Sequence, residues 1–239
     1  MPMDQAHQAH HERLRVIVTG VTGMVGEGVL HECLLHPSVD QVLVVTRRPS
    51  GVSHVKLKEI VLDNFYDWTT IEHELQGYNA CFFCLGVTSV GKTEEEYRRA
   101  TYDLTMNAAA VLSRLNPDMV FTYVTGSSTD STEKGRTMWA RVKGKTENDL
   151  LRLPFRAAYM FRPGYIHPTE GLRNAHKYYS FLKWLYPLLR IVVPRHVVTL
   201  RQLGLAMIHA ATAGYDRKVL ECPDIIRLAD GHSTAGGAK

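Results

Sequence analysis

The residues Thr19-Gly20-Val21-Thr22-Gly23-Met24-Val25-Gly26 place three glycines at a GxxGxxG spacing directly behind the apolar run Leu14–Thr19. Glycines so spaced allow a tight turn, close approach of backbone to a pyrophosphate and close packing of helix on sheet. The unpaired N–H groups and the dipole at the start of the next helix then favour an anion. The pattern follows an apolar strand and opens a helix, so it reads as a dinucleotide site rather than a purely structural turn. A second signal stands at the end of the next apolar run. NAD sites usually carry an acid there for the ribose 2′-hydroxyl, whereas this chain has Thr46-Arg47-Arg48. Two guanidinium groups suit a 2′-phosphate, so NADP(H) is expected over NAD(H).

These groups need a scaffold, and the rest of the chain alternates strand and helix. Strands are expected at Leu14–Thr19, Gln41–Thr46, Lys56–Leu62, Ala80–Leu85, Met119–Thr125 and Phe155–Phe161. Helices are expected from Met24 to His36, Thr69 to Leu75, Thr93 to Leu115 and Gly135 to Leu153. Thr93 with Glu96 forms a capping box at the start of the long helix, and Pro117 follows its end. The succession predicts an α/β fold with a doubly wound parallel sheet, a Rossmann fold, followed by a small C-terminal helical substrate lid. The expected division is a mobile leader at 1–13, a nucleotide-binding domain at 14–165, a lid integrated with it at 166–229 and a disordered tail at 230–239.

The glycine turn and the Arg pair occur together with Asp63 after the third strand, Leu85-Gly86 after the fourth and Arg162-Pro163-Gly164 after the sixth. In this combination the chain resembles the short-chain dehydrogenases/reductases, in particular the extended and atypical branches with TGxxGxxG. Val142-Lys143-Gly144, the downstream Glu147 and Phe161-Arg162-Pro163-Gly164 make it similar to the Tat-interacting-protein-like oxidoreductases and the NAD-dependent epimerase-like branch. The resemblance covers about Leu14 to Pro168. It implies that Asp63 contacts the adenine, that Leu85 and Gly86 line the cofactor, and that Thr19 to Gly26 and Arg162 to Gly164 belong to the cofactor site.

The resemblance also implies a catalytic Ser, Tyr and Lys, with the Tyr and Lys spaced YxxxK on one helix face. Lys143 fits the lysine, which holds the nicotinamide ribose, and Ser127 fits the serine, with Ser128 as the adjacent alternative. Tryptophan, Trp139, stands where the tyrosine belongs. An indole N–H cannot ionise in a useful range, so Trp139 cannot relay a proton. Thr101 departs from the NVxGT stretch of extended members, although Asn107 matches its later Asn. Three readings therefore stay open. One is an NADP(H)-dependent oxidoreductase whose proton comes from water, Ser127 or a hydroxyl such as Tyr165. The others are an NADPH-sensing protein acting through a partner, and an epimerase or isomerase with tightly bound cofactor.

The 239 residues carry 28 Lys+Arg against 24 Asp+Glu, a net charge of +4, without a nucleic-acid recognition motif. No nucleic-acid partner is expected. The excess is local: Arg173, Lys177, Lys183, Arg190, Arg195 and Arg201 lie between Gly171 and Tyr215 with no acid among them. Phe181, Trp184, Leu185 and Leu188 form a helical apolar stripe within 176–198, the mark of a core-facing lid helix. Basic residues beside Trp and Tyr also suit a peripheral membrane contact. The aromatic lid points to a bulky hydrophobic small-molecule substrate. The resemblance implies a homodimer paired through the helices that carry the active site. Cys81 and Cys84 lie in an apolar strand at an odd separation, on opposite faces, so neither a metal nor a redox pair is expected. The polar, His-rich start (His7, His10 and His11) lacks an apolar h-region, and the chain has no run of 18 apolar residues. A cytoplasmic location is expected.

Overall fold

A computed structural model describes residues 13–174 and 194–234. The stripe Phe181–Leu188, most of the leader and half of the tail lie outside the described residues. Seven parallel strands form the main sheet: β1 (Leu14–Thr19), β2 (Val39–Thr46), β3 (Leu57–Val61), β4 (Ala80–Phe83), β5 (Val120–Val124), β6 (Ala157–Arg162) and β9 (Val219–Glu221). Their order is β3-β2-β1-β4-β5-β6-β9, so the winding reverses between β1 and β4. That reversal opens a crevice at the carboxyl ends of these two strands. β7 (Tyr165–His167) and β8 (Val197–Thr199) pair in a separate two-stranded ribbon.

Strand residues alternate between two apolar layers because successive side chains leave opposite faces of a sheet. Val16, Val18, Val42, Val44, Phe82 and Phe161 pack on one face, beneath α1 (Met24–Leu35), α6 (Leu200–Thr212) and α7 (Cys222–Ala229). Ile17, Leu43, Phe83, Phe121, Tyr123 and Met160 pack on the other. That second face is covered by α4 (Leu104–Leu115) and by Leu150 of α5 (Met138–Leu150). Cys81 and Cys84 accordingly belong to opposite layers, and Cys81 is fully buried.

Besides shifts of a few residues at element ends, two helical segments differ from the sequence reading. The segment Thr69–Leu75 is a 3-10 turn followed by the single-turn α2 (Glu72–Leu75). The helix capped by Thr93 and Glu96 is α3 (Glu94–Arg98), and a π-helical turn at Arg99–Asp103 separates it from α4. The described part of the segment expected as a lid is built into the sandwich. It supplies β9 to the sheet and packs α6 against α1, where a Cβ on Gly28 would fall 2.2 Å from the Leu200 side chain.

Candidate functional site

The glycine turn sits at the topological switch point. Gly20 has φ +72°, a left-handed conformation, and a Cβ there would lie 2.6 Å from the carbonyl oxygen of Cys84. At Gly26 a Cβ would lie 2.2 Å from the carbonyl oxygen of Gly20, so α1 rests directly on the turn. Thr19 helps fix the neighbouring strand, its hydroxyl accepting from the Cys84 N–H at 3.2 Å. The start of α1 therefore faces the crevice with backbone rather than side chains, the arrangement suited to phosphate.

Two clefts flank this turn and share Leu85. The first, about 530 Å³, is lined by Gly23, Met24, Val25 and the β4 end at Cys84, Leu85 and Gly86. Its far wall is Val124 to Ser127, Trp139, Lys143, Pro163, Gly164 and Ile166. The second, about 270 Å³, is lined by Gly20, Thr22, Thr46, Arg47, Arg48, Phe65 and Leu85. A Cβ on Gly86 would meet no atom within 4 Å, and one on Gly126 would meet only the Pro163 carbonyl oxygen at 3.9 Å. This bare backbone and the two clefts that share Leu85 on either side of the turn fit an elongated dinucleotide better than a compact ligand.

Arg47 and Arg48 are exposed at the second cleft, on a loop turned by the Thr46 hydroxyl donating to the Arg48 carbonyl at 2.8 Å. Phe65 forms the cleft floor. It meets Trp68 edge to face at 5.6 Å, and the Trp68 indole donates to the Phe65 carbonyl at 3.0 Å. Asp63 is exposed and lies outside the cleft lining, whereas Phe65, two residues further on, is part of it.

The first cleft is backed by charge. The Lys143 ammonium donates to the Thr125 carbonyl at 2.7 Å, and burial pulls its pKa down to about 8 despite the nearby Glu147 carboxylate. Glu147, one turn further along α5, is fully buried and holds Arg162 of β6 through both carboxylate oxygens. The Thr125 hydroxyl donates to the same carboxylate at 2.6 Å, and Glu221 of β9 lies 3.6 Å from Arg162. Arg162 thus belongs to the support of the cleft and not to its lining. Pro163 and Gly164 do line it, with the Pro163 carbonyl accepting from the Ser127 N–H at 2.9 Å.

Ser127 and Ser128 are resolved by geometry. Ser127 lines the cleft, whereas Ser128 has φ +70° and is exposed. The loop beyond them is clamped on α5: a Cβ on Gly144 would lie 1.8 Å from the Asp130 carbonyl oxygen. Asp130 organises that loop by accepting from the Thr132 hydroxyl and the Gly135 N–H, which hold its carboxyl below the usual range. Trp139 and Lys143 both line the first cleft, one helical turn apart. Tyr165 is outside that lining, and Asn107 lies in a shallow groove on the outer side of α4.

Sequence reasoning did not assign Phe65, Val124, Thr125, Gly126 or Ile166 to a site, and it placed Thr46 and Cys84 in strands without giving them a role there. Most of them sit at or just beyond the carboxyl ends of parallel strands, a position that could have marked them. The Cys84 thiol is pushed up by burial, so it lines the cleft as an apolar group.

Residues 16–150 match the family described as NAD dependent epimerase/dehydratase. The chain is 26% identical over 167 residues to Protein FMP52-1, mitochondrial, of Scheffersomyces stipitis, covering 67% of this chain and 73% of that protein. Among solved structures it is similar to ADP-L-glycero-D-manno-heptose-6-epimerase of Helicobacter pylori, with TM-score 0.62, 13% identity and coverage of 93% and 82%. It is likewise similar to the Bordetella bronchiseptica enzyme WbmG in complex with NAD and UDP, with TM-score 0.64, 11% identity and coverage of 95% and 82%. At such identities these likenesses speak for the fold, and they agree with the doubly wound sheet expected from the sequence.

Several relatives are named as mitochondrial proteins, which overturns the cytoplasmic expectation. That expectation rested on the missing apolar h-region. Organellar import signals are amphipathic and basic rather than apolar, so the missing h-region did not bear on them. Among the described residues no helix is long and apolar enough to cross a membrane.

Proposed function

The chain belongs to the NAD dependent epimerase/dehydratase family, and on that premise we propose that it is an NADP(H)-dependent oxidoreductase acting on a bulky hydrophobic carbonyl compound. The observation that carries this reading is the pair of clefts flanking the glycine turn and sharing Leu85, with Arg47 and Arg48 in one and Ser127 and Lys143 in the other. Gly20 to Val25 and Leu85 would hold the dinucleotide across the switch point. Arg47 and Arg48 would take its 2′-phosphate, and Phe65 would lie beside the adenosine. When bound, the cofactor supplies or accepts a hydride.

The chain's own groups do the rest. The Ser127 hydroxyl donates to the carbonyl oxygen and orients it. Trp139 excludes water and offers an apolar wall, but its indole cannot give up a proton at useful cost. Cys84 keeps its proton too firmly to help. Lys143, with its pKa near 8, carries a proton at Nζ that is exchangeable close to neutral pH. The proton in this reading comes from that ammonium, which bulk water replenishes through the mouth of the cleft.

Trp139 at the relay position also favours a second reading, a protein that binds NADPH and signals without turnover. Purified protein incubated with NADPH and a panel of hydrophobic aldehydes, ketones and quinones separates the two by absorbance at the nicotinamide band. Substrate-dependent oxidation establishes the reductase. Tight NADPH binding without oxidation, combined with activity appearing in Trp139→Tyr, establishes the sensor. Equal or tighter binding of NADH than NADPH would remove the cofactor preference from both.

A further inference from the structure

The first of the late positive charges, Arg173, is anchored just past the glycine turn. The backbone N–H groups of Arg173 and Asn174 donate to the two carboxylate oxygens of Glu27, at 2.8 and 2.7 Å. Glu27 stands in the first turn of α1, just past the glycine turn. Gly171, with φ +85°, turns the chain immediately before this contact. Two hydrogen bonds to an ionised carboxylate, one to each oxygen, fix a segment more firmly than a single neutral bond.

So anchored, the Arg173 side chain extends to the loop between β2 and β3. Its Nη1 lies 3.4 Å from the position of a Cβ on Gly51, three residues beyond Arg48. The guanidinium therefore stands against the same loop that presents Arg47 and Arg48 to the second cleft. Among the described residues none of these three arginines forms an ion pair with a carboxylate. Three guanidinium groups gathered around one loop without a paired carboxylate among the described residues repel each other, and a phosphate monoester with a charge near −2 relieves that repulsion.

We propose that Arg173 is the third arginine of the phosphate site, reaching the 2′-phosphate of the dinucleotide from beside the loop of Arg47 and Arg48 and held there by Glu27. This rests on the NADP(H) reading above and adds to it a residue far away in sequence. It also gives Glu27 a role that its charge alone would not suggest. An acid beside a phosphate site weakens anion binding by repulsion, yet here its charge is taken up by the two N–H groups that position Arg173.

Calorimetric titration of the full chain with 2′,5′-ADP and with ADP, at one ionic strength, tests this. Wild type is expected to bind 2′,5′-ADP more tightly. Arg173→Gln is expected to weaken 2′,5′-ADP about 5- to 10-fold and leave ADP unchanged. Glu27→Ala is expected to weaken 2′,5′-ADP by a similar factor although it removes a negative charge, and the double variant to lose no more than either single one. A preference for 2′,5′-ADP that is undiminished in Arg173→Gln overturns the assignment while the NADP(H) reading stands. Equal weakening of both nucleotides also overturns it, because Arg173 would then serve the shared phosphates. Tighter 2′,5′-ADP binding by Glu27→Ala removes the anchoring role and the proposal with it. If wild type binds both nucleotides equally, the NADP(H) reading itself falls and the inference falls with it.

Discussion

The two ends of the cleft are built on different physical principles. At the end proposed for the phosphates the lining offers a left-handed glycine, the glycine turn and exposed arginines, none of them buried as a charge. At the chemical end Glu147 is wholly enclosed with Arg162, and Lys143 sits close enough to that pair to feel it. An exposed charge beside a cleft is cheap to keep and cheap to lose. A buried pair is expensive to break, because removing one partner strands the other in low dielectric. Binding specificity and site architecture should therefore respond to mutation on different scales.

The largest effect falls on the buried pair. Glu147→Ala leaves Arg162 without its carboxylate and is expected to cost about 3–5 kcal/mol of folding stability, read from urea unfolding. A cost below about 1 kcal/mol would contradict the contrast between the two ends. Gly26→Val comes next. Its side chain would collide with the Gly20 carbonyl and is expected to weaken nucleotide binding about 100-fold, some 2.7 kcal/mol, with both NADPH and NADH affected alike.

Smaller and more selective, the double change Arg47→Ala with Arg48→Ala is expected to weaken NADPH about 10- to 50-fold and to leave NADH within about 2-fold. Thermal stability should scarcely move, since both side chains are exposed. A large loss of melting temperature would show that the two ends are not separable in this way.

The smallest effect is a pH dependence at the chemical end. The Lys143 ammonium faces the Glu147 carboxylate on its own helix, with Arg162 of β6, Glu221 of β9 and the Cys84 thiol packed around the same site. Burial lowers its pKa to about 8, so the charged form predominates below that value and is lost as pH rises through it. NADPH affinity is expected to fall about 3- to 5-fold between pH 7 and pH 9, because a neutral amine holds the ribose hydroxyls and phosphates less well. Lys143→Met should bind weakly with a flat profile over the same range, measured by intrinsic fluorescence. An unchanged slope in that variant would place the titrating group elsewhere.

Legibility followed the range of the interactions. The glycine turn, the Arg pair, the capping box at Thr93 and the alternation of the strands are local patterns, and each appears in the structure close to where the chain announced it. Phe65 in the second cleft was not legible, because its place there is set by its packing on Trp68. The π-helical turn at Arg99–Asp103 left no mark in the periodicity, because one widened turn barely shifts an apolar stripe. The part played by Gly144 could not be read either, since its reason is the carbonyl of Asp130 on a loop that only the folded chain brings against α5.

By itself the sequence determined the class of fold and the glycine turn ahead of α1. Glycine spacing, apolar runs and caps act over a few residues, where the chain needs no distant partner to express them. It also determined that tryptophan stands one turn before Lys143, and so that no tyrosine relay exists at that position. Only the tertiary structure decided which serine enters the cleft, that Arg162 supports the site rather than lining it, and that Arg173 stands against the loop of Arg47 and Arg48. Those outcomes depend on strands and loops far apart in the chain meeting at the carboxyl end of one sheet, and only the completed packing sets such meetings.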